Sequence, residues 1–512
     1  MPTPHEKLAD SLTALRKLQE GGRRVFQSEE LSRLDRERLL RNGFLHEVMK
    51  GWLMSSSPDA RDGDSTPWYA SFWEFCGQYS TARFGDEWHL PPELSVLLHA
   101  ENTTVPSQVI VHSPKGTNHK IPLLFGTSLY DLKLTQMPSA ADLTMRDRLR
   151  IFTPAAAMIR VPEGFFKSNP IETRVVLASL SDPTDLLRRL LDGGHSVVAG
   201  RLAGALRRIG RGEIADEIVS TMKAASYDVR ESDPFADGAP LVLPAAVAPI
   251  VGRLNAMWES MRGRVIEALP PAPGLPHDQA SYLRLVDDVY QSDAYHSLSI
   301  EGYSVSMELI ERVKAGDWSP ETHEADRKSR DALAARGYWQ AFQLVRRDVG
   351  DIIAGTNAAQ LVRRTHREWY RELFQPCVAA GLIPAAALAG YRNNAVFLRT
   401  SRYVPPRWEV VVDAMRTLFD LLEHESEACV RAVLGHWMFG YIHPYPDGNG
   451  RMARFLMNTM LASGGYPWTV VRVEDRKQYL AALDNASIDQ QIGPFAEFLS
   501  QRIQWSVEQA HR

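Results

Sequence analysis

The chain has 512 residues, 44% of them hydrophobic and 23% charged, the make-up of an ordinary globular protein. That length is too great for a single core, so several domains are expected. A net charge of −4 excludes a chain whose main task is to coat nucleic acid. Cys76, Cys377 and Cys429 lie far apart and are odd in number, which gives neither a disulfide framework nor a zinc spacing. No uninterrupted apolar run is long enough to span a membrane, and the first residues carry no signal-peptide pattern. The expectation is a cytoplasmic protein with no membrane partner.

Leu8, Leu12, Leu15 and Leu18 recur at helical spacing over residues 5–20. Residues 24–26 read as a short extended piece. Ser28 caps a second short helix, with Glu29 and Glu30 suited to its first turn. Residues 34–41 form a third helix carrying Arg36, Arg38 and Arg41. Gly43 ends that helix, and residues 44–54 read as a two-strand ribbon around Lys50 and Gly51. Three short helices and a ribbon make a winged helix-turn-helix plan for residues 1–60. Such a module binds either DNA, through the arginine-rich helix and Lys50, or another protein. Ten Lys and Arg against nine Asp and Glu across these residues leave the two readings open.

Residues 61–235 read as a mixed α/β segment without recognisable chemistry. Its aromatic stretch, from Trp68 to Trp88, has the spacing of core rather than of a base-stacking platform. Residues 109–112 and 121–125 read as strands around the turn at Pro114-Lys115-Gly116, and residues 180–191 and 197–209 as helices. Proline-rich stretches at 240–249 and 270–276 bracket a helix over 251–268, so a domain boundary is placed near 236. Residues 236–512 form a mostly helical domain.

That last domain holds the chemistry. A buried helix over 428–441 leads into His443-Pro444-Tyr445-Pro446-Asp447-Gly448-Asn449-Gly450-Arg451-Met452-Ala453-Arg454, and a second helix follows over 452–461. Asp-Gly-Asn-Gly forces a tight turn, because glycine and asparagine tolerate positive φ. A turn that opens a helix aims unpaired N–H groups outward beside the positive end of the dipole, which is an anion site. Arg451 and Arg454, three apart, share a face and can both fork onto phosphate. Asp447 offers the single carboxylate that Mg2+ commonly takes beside phosphate and water. His443, at a helix end stopped by Pro444, can accept a proton near neutral pH.

This stretch resembles the signature of the Fic family, His-Pro-Phe-x-Asp/Glu-Gly-Asn-Gly-Arg-x-x-Arg. Tyr445 replaces the usual phenylalanine, keeping the ring and adding a hydroxyl that needs a partner or an edge position. Residues 282–296 read as a helix leading into Ser297-Leu298-Ser299-Ile300-Glu301-Gly302, which resembles the family's inhibitory motif, Ser/Thr-x-x-x-Glu-Gly/Asn. There the resemblance implies that Ser297, Glu301 and Gly302 hold Arg454, a charge-assisted contact worth about 1.5–3 kcal/mol. It further implies that residues 396–403 form a β-hairpin flap able to pair with a target segment, the alternative being an ordinary connecting hairpin. Tyr479 either flanks an adenine or packs in the core. Residues 285–500 or so are covered by this likeness. The N-terminal region resembles the winged-helix module of antitoxins of the abortive-infection type.

The fold expected is therefore multidomain α+β: an N-terminal winged helix-turn-helix and mixed α/β segment, then a mostly α-helical Fic fold with a short β-hairpin flap. The resemblance implies transfer of AMP from ATP to a Tyr, Thr or Ser hydroxyl of a target protein. Gly448, Asn449, Gly450, Arg451 and Arg454 would hold the phosphates, Asp447 the Mg2+, and His443 would be the base, with Glu301 keeping the resting enzyme off. Two alternatives stand beside it. One is removal of AMP at the same site. The other is a DNA-binding regulator or antitoxin whose Fic part senses a nucleotide. The partners implied are the target protein, DNA through the winged helix, and a second copy of the chain.

Overall fold

The structure, a computed structural model, describes residues 3–58, 63–235, 248–316 and 330–510. The chain divides into two units, Met1–Arg253 with Phe397–Val404, and Leu254–Val396 with Pro405–Arg512. Most of the proline-rich stretch at 240–249 lies outside the described residues, as does the boundary expected near 236.

In the first unit, Thr3 and Glu6 make a reciprocal capping box that starts helix Pro4–Leu18. Strand Val25–Gln27, a single 3-10 turn Ser28–Glu30 and helix Arg33–Arg41 follow, the last capped by Ser32. Strands Leu45–Met49 and Trp52–Ser55 form a hairpin, and Trp52–Ser55 lies between its partners, antiparallel to both. Leu15, Phe26, Leu39, Leu45 and Leu53 fill one side of this small sheet. Val25, Val48, Trp52 and Met54 instead join Trp68, Phe72, Phe75 and Trp88 in a second cluster. Residues 1–60 and 61–235, expected as separate domains, thus share a core within one unit. The aromatic stretch is core, with Trp68, Phe72 and Phe75 fully buried.

The arginines of helix Arg33–Arg41 are largely engaged within the chain. Arg36 donates to the Ser28 carbonyl at 3.0 Å, Arg38 to the Lys7 carbonyl and the Ser11 hydroxyl, and Arg33 pairs with Glu37. Arg41 is exposed.

The strands expected on either side of the 114–116 turn do not pair with each other. Strand Ser128–Lys133 lies between them, parallel to Gln108–Ser113 and antiparallel to His119–Pro122. Its core face carries the fully buried Asp131, which accepts hydrogen bonds from Thr117, the His119 N–H and Arg83. A second hairpin, Leu143–Arg146 with Leu149–Phe152, precedes a run of helices from Pro154–Arg160 to Gly212–Ala224. Near the unit's end, Arg253 and Glu172 form a buried ion pair at 2.8 Å.

Residues 396–403 carry no strand, contrary to the hairpin expected there. Pro405 and Pro406 have no N–H to donate to a ladder, and Thr400 is left-handed at φ 59. The backbone of this segment is held instead by loop contacts: the Arg402 carbonyl accepts from the Val105 N–H, and the Val404 carbonyl from the Thr103 hydroxyl.

The second unit is helical. Helices Arg330–Ile353 and Ala358–Ala379 pack so closely that a Cβ on Gly337 would lie 2.1 Å from the Leu373 carbonyl oxygen. Helix Ala428–Ile442 is buried almost all round, from Cys429 to Ile442, so it is the unit's central element. Helices Gln279–Ile300, Met307–Ala315, Val411–His424, Asn449–Ala462, Arg476–Ile488 and Gly493–Ala510 also belong to it, with most of Pro249–Ala268. Among the described residues no helix is long and apolar enough to cross a membrane.

Candidate active site

The turn between helices Ala428–Ile442 and Asn449–Ala462 is built by its own side chains. The Asn449 amide accepts from the Tyr445 N–H at 2.9 Å and donates to the Tyr445 carbonyl at 2.8 Å, closing the loop on itself. Tyr445 is fully buried and stacks on Tyr370, with ring centres 3.8 Å apart and planes 8° from parallel. Its hydroxyl finds no hydrogen-bond partner among the described residues. Gly448 is left-handed at φ 81, and a Cβ there would run into the Phe374 ring at 2.7 Å. No side chain caps the helix that starts at Asn449, so its first N–H groups remain available to an anion.

Two arginines rise from that helix into buried surroundings. Arg451 is 1% exposed, and its guanidinium lies between the rings of Tyr303 and Phe374, 5.2 and 5.0 Å from their centres. Its Nη2 is 3.6 Å from the Asp447 carboxylate, and neither Nε nor Nη2 makes a hydrogen bond among the described residues. Buried N–H groups of a cation without acceptors are costly, and an anion would satisfy them. Arg454 is engaged on two of its nitrogens: Nε donates to the Ser297 hydroxyl at 2.8 Å, and Nη2 to the Ser297 carbonyl and to Glu301 Oε1 at 2.6 Å.

Ser297 and Glu301 stand one turn apart at the end of helix Gln279–Ile300, which is why both reach the same guanidinium. Gly302, at φ 88, ends the helix and turns the chain so that Tyr303 lies over Arg451. The Glu301 carboxylate rests on the turn itself, since a Cβ on Gly450 would be 2.2 Å from Oε1. A carboxylate thus sits where the helix start attracts an anion. Burial works to raise the Glu301 pKa, but Arg454 and Arg451, with His443, outweigh it and hold the carboxyl below its usual range. The contact is therefore present from the ordinary carboxylate range upward and is lost as pH falls below it.

His443 ends helix Ala428–Ile442 in the left-handed region, at φ 51 and ψ 59, an unusual conformation for a residue with a Cβ. Its Nδ1 faces the Gly440 carbonyl at 3.3 Å, so Nδ1 carries the proton and Nε2 is left as the acceptor. Burial, helped by the nearby Arg392 charge, pushes its pKa down to about 4 against the Gly440 hydrogen bond and the Glu301 and Asp447 carboxylates. The imidazole is neutral at physiological pH.

The structure brings His443, Asp447, Gly448, Asn449, Gly450, Arg451, Arg454, Ser297 and Glu301 together around one helix start. Tyr479 is buried in the core, 2% exposed, with its hydroxyl 2.8 Å from His436 Nε2. Three participants carry no sequence signal of their own. Tyr303 and Phe374 sandwich Arg451, and Arg392 donates to the His443 carbonyl at 2.8 Å.

The Fic/DOC family matches residues 358–461, which include the turn and both helices that flank it. The chain is 24% identical to the protein adenylyltransferase fic-1 of Caenorhabditis elegans over 305 residues, 58% of this chain and 54% of that protein. It is 34% identical to the protein adenylyltransferase Fic of Nematostella vectensis over 122 residues, 23% of this chain and 28% of that one. The chain thus spans about half the length of the C. elegans relative. A solved structure of C. elegans Fic-1, residues 134–508, aligns over 70% of this chain and 90% of its own, at 17% identity and a TM-score of 0.37. Residues 358–461 are a Fic/DOC-family domain.

Proposed function

We propose that this chain is a protein adenylyltransferase, moving AMP from ATP onto a Tyr, Thr or Ser hydroxyl of a protein and held down at rest by Glu301. The observation that carries the reading is an imidazole whose Nδ1 faces a carbonyl and whose Nε2 is left as acceptor, beside an uncapped helix start flanked by two buried arginines. Relatives named protein adenylyltransferases match this part of the chain, which supports the same reading.

In that reaction His443 Nε2 takes the proton of the attacking hydroxyl. The new oxygen–phosphorus bond forms at the α-phosphate as the bond to the bridging oxygen of the β-phosphate breaks. Pyrophosphate leaves, and Arg451 and Arg454 neutralise the charge it carries, so most of the catalysis is positioning and electrostatics. The N–H groups at Gly448, Asn449 and Gly450 cradle the phosphates.

Asp447 suits a magnesium ion: its side chain is 59% exposed at the rim, beside Arg451. The described residues bring no three His, Cys, Asp or Glu together as a metal-binding group, which fits an ion shared between one carboxylate, phosphate and water. When bound, the ion neutralises phosphate charge. Glu301 acts by occupying Arg454 and the helix start, so that the γ-phosphate of ATP finds neither.

We read residues 3–58 as a winged helix-turn-helix that meets protein rather than DNA, because Arg36 and Arg38 already serve carbonyls and a hydroxyl of their own module.

The experiment is to supply Glu301→Gly protein with ATP labelled at the α- or at the γ-phosphate. Label carried onto protein from the α position alone is expected. Transfer from the γ position would replace AMP transfer with phosphorylation. Label from neither position, with release of AMP from an AMP-modified protein, would replace it with the reverse reaction.

A further inference from the structure

His443 sits in a strained left-handed conformation, and a neighbouring residue is arranged to hold it there. Arg392 is 4% exposed and directs its donors at main-chain carbonyls. Its Nε donates to the His443 carbonyl at 2.8 Å, and its backbone N–H to the Pro444 carbonyl at 2.8 Å. Nη2 reaches the carbonyls of Ile442 and Pro406, and Nη1 the carbonyl of Asn394 at 3.0 Å. The last carbonyls of helix Ala428–Ile442 have no partner within the helix and sit at its negative end, where a cation is favoured. Arg392 supplies that cation from a distant stretch of sequence.

The same guanidinium ties together Asn394 and Pro406, twelve positions apart, between which the chain loops away and returns. Four main-chain carbonyls from three segments thus converge on one guanidinium, with a fifth on the Arg392 N–H, and a rigid planar fork is the side chain that can serve the four together. Lysine, with a compact ammonium and three donors, cannot match that geometry.

We infer that Arg392 is the positioning residue of the His443 base: by binding the carbonyls of Ile442, His443 and Pro444 it fixes the left-handed turn that aims the imidazole. This rests on His443 acting as the base in AMP transfer. Arg392 touches no reacting atom. It acts through the His443 main chain, and through its charge on the ring, which the Glu301 and Asp447 carboxylates oppose.

The test compares Glu301→Gly protein with the same protein carrying Arg392→Ala or Arg392→Lys. Three quantities are read on the full chain: kcat and KM for ATP in self-modification, the His443 ring titration by NMR, and thermal melting. A misaimed base should lower kcat by about a hundredfold in the alanine variant, while KM for ATP changes by less than about threefold. The His443 pKa should rise toward the ordinary histidine value, because a neighbouring positive charge is gone. Lysine keeps the charge but not the fork, so it should leave the titration near that of the parent and still lower kcat.

A folded alanine variant with kcat within about threefold of the parent, or with an unmoved His443 titration, overturns the inference. If alanine prevents folding, the lysine variant decides, and an unchanged kcat there overturns it. If the parent itself transfers no AMP, the reading of the site has failed instead, and the ring titration of the alanine variant alone decides whether Arg392 governs His443.

Discussion

His443 and Tyr445 are the two residues of the turn whose chemistry can be separated most cleanly. Because the His443 pKa is depressed to about 4, the base is already deprotonated across the physiological range. Transfer by Glu301→Gly protein should therefore be level between about pH 8 and pH 6 and decline only as pH approaches the depressed value. A half-maximal point near the ordinary histidine pKa, in a full pH–rate profile, would contradict that environment. Tyr445→Phe should retain transfer and stabilise the protein by about 1 kcal/mol, seen as a higher melting temperature, since it removes a buried hydroxyl without a partner. The turn was legible in the sequence because its parts are contiguous and each serves local geometry: Asn449 closes the loop on Tyr445, and Gly448 adopts a conformation that few residues tolerate. Arg392, Tyr303 and Phe374 were not legible. Each is a common residue type, far along the chain from the group it serves, and only folding places it there.

The end of helix Gln279–Ile300 works as one piece, with Ser297 and Glu301 on a single guanidinium and Tyr303 over the next. Removing the carboxylate in Glu301→Gly should raise the self-modification rate about ten- to a hundredfold, the equivalent of one charge-assisted contact. Equal rates in wild type and variant would mean that the contact does not restrain the enzyme. Elsewhere in this unit, Gly337→Ala would press a methyl into the Leu373 carbonyl where two long helices touch. It should destabilise the protein by about 1–3 kcal/mol, measured as a lower midpoint of chemical denaturation. Helices were readable from their periodicity, whereas the sheet of the first unit was only half readable. Strand Ser128–Lys133 hid itself because a carboxylate, Asp131, occupies a core-facing position, satisfied by Thr117, His119 and Arg83 that lie elsewhere in sequence. The hairpin expected at 396–403 failed for a related reason: its apolar residues resembled a strand, but two prolines and a left-handed threonine leave no ladder to join.

Across the whole chain, a net charge of −4 and the internal engagement of Arg33, Arg36 and Arg38 bear on what the N-terminal part can bind. Duplex DNA should be bound no better than the non-specific range of about 10−4 to 10−6 M at physiological salt, and Arg41→Ala should leave that value unchanged. Sequence-dependent binding near 10−8 M would restore the regulator reading. The Fic/DOC family match is confined to residues 358–461, so the N-terminal part is read from its packing and charge. There, the shared core of the small sheet and the aromatic helix makes residues 1–60 part of a larger unit. That union was invisible in composition, which changes between the two stretches while the packing does not.

Adenylyl transfer with His443 as the base is tested by mass spectrometry of wild type, Glu301→Gly and Glu301→Gly/His443→Ala after incubation with ATP and magnesium. AMP is expected on the Glu301→Gly protein, little on wild type and none on the double variant. AMP on the double variant would remove His443 as the base, and AMP on none of the three would contradict adenylyl transfer by this chain.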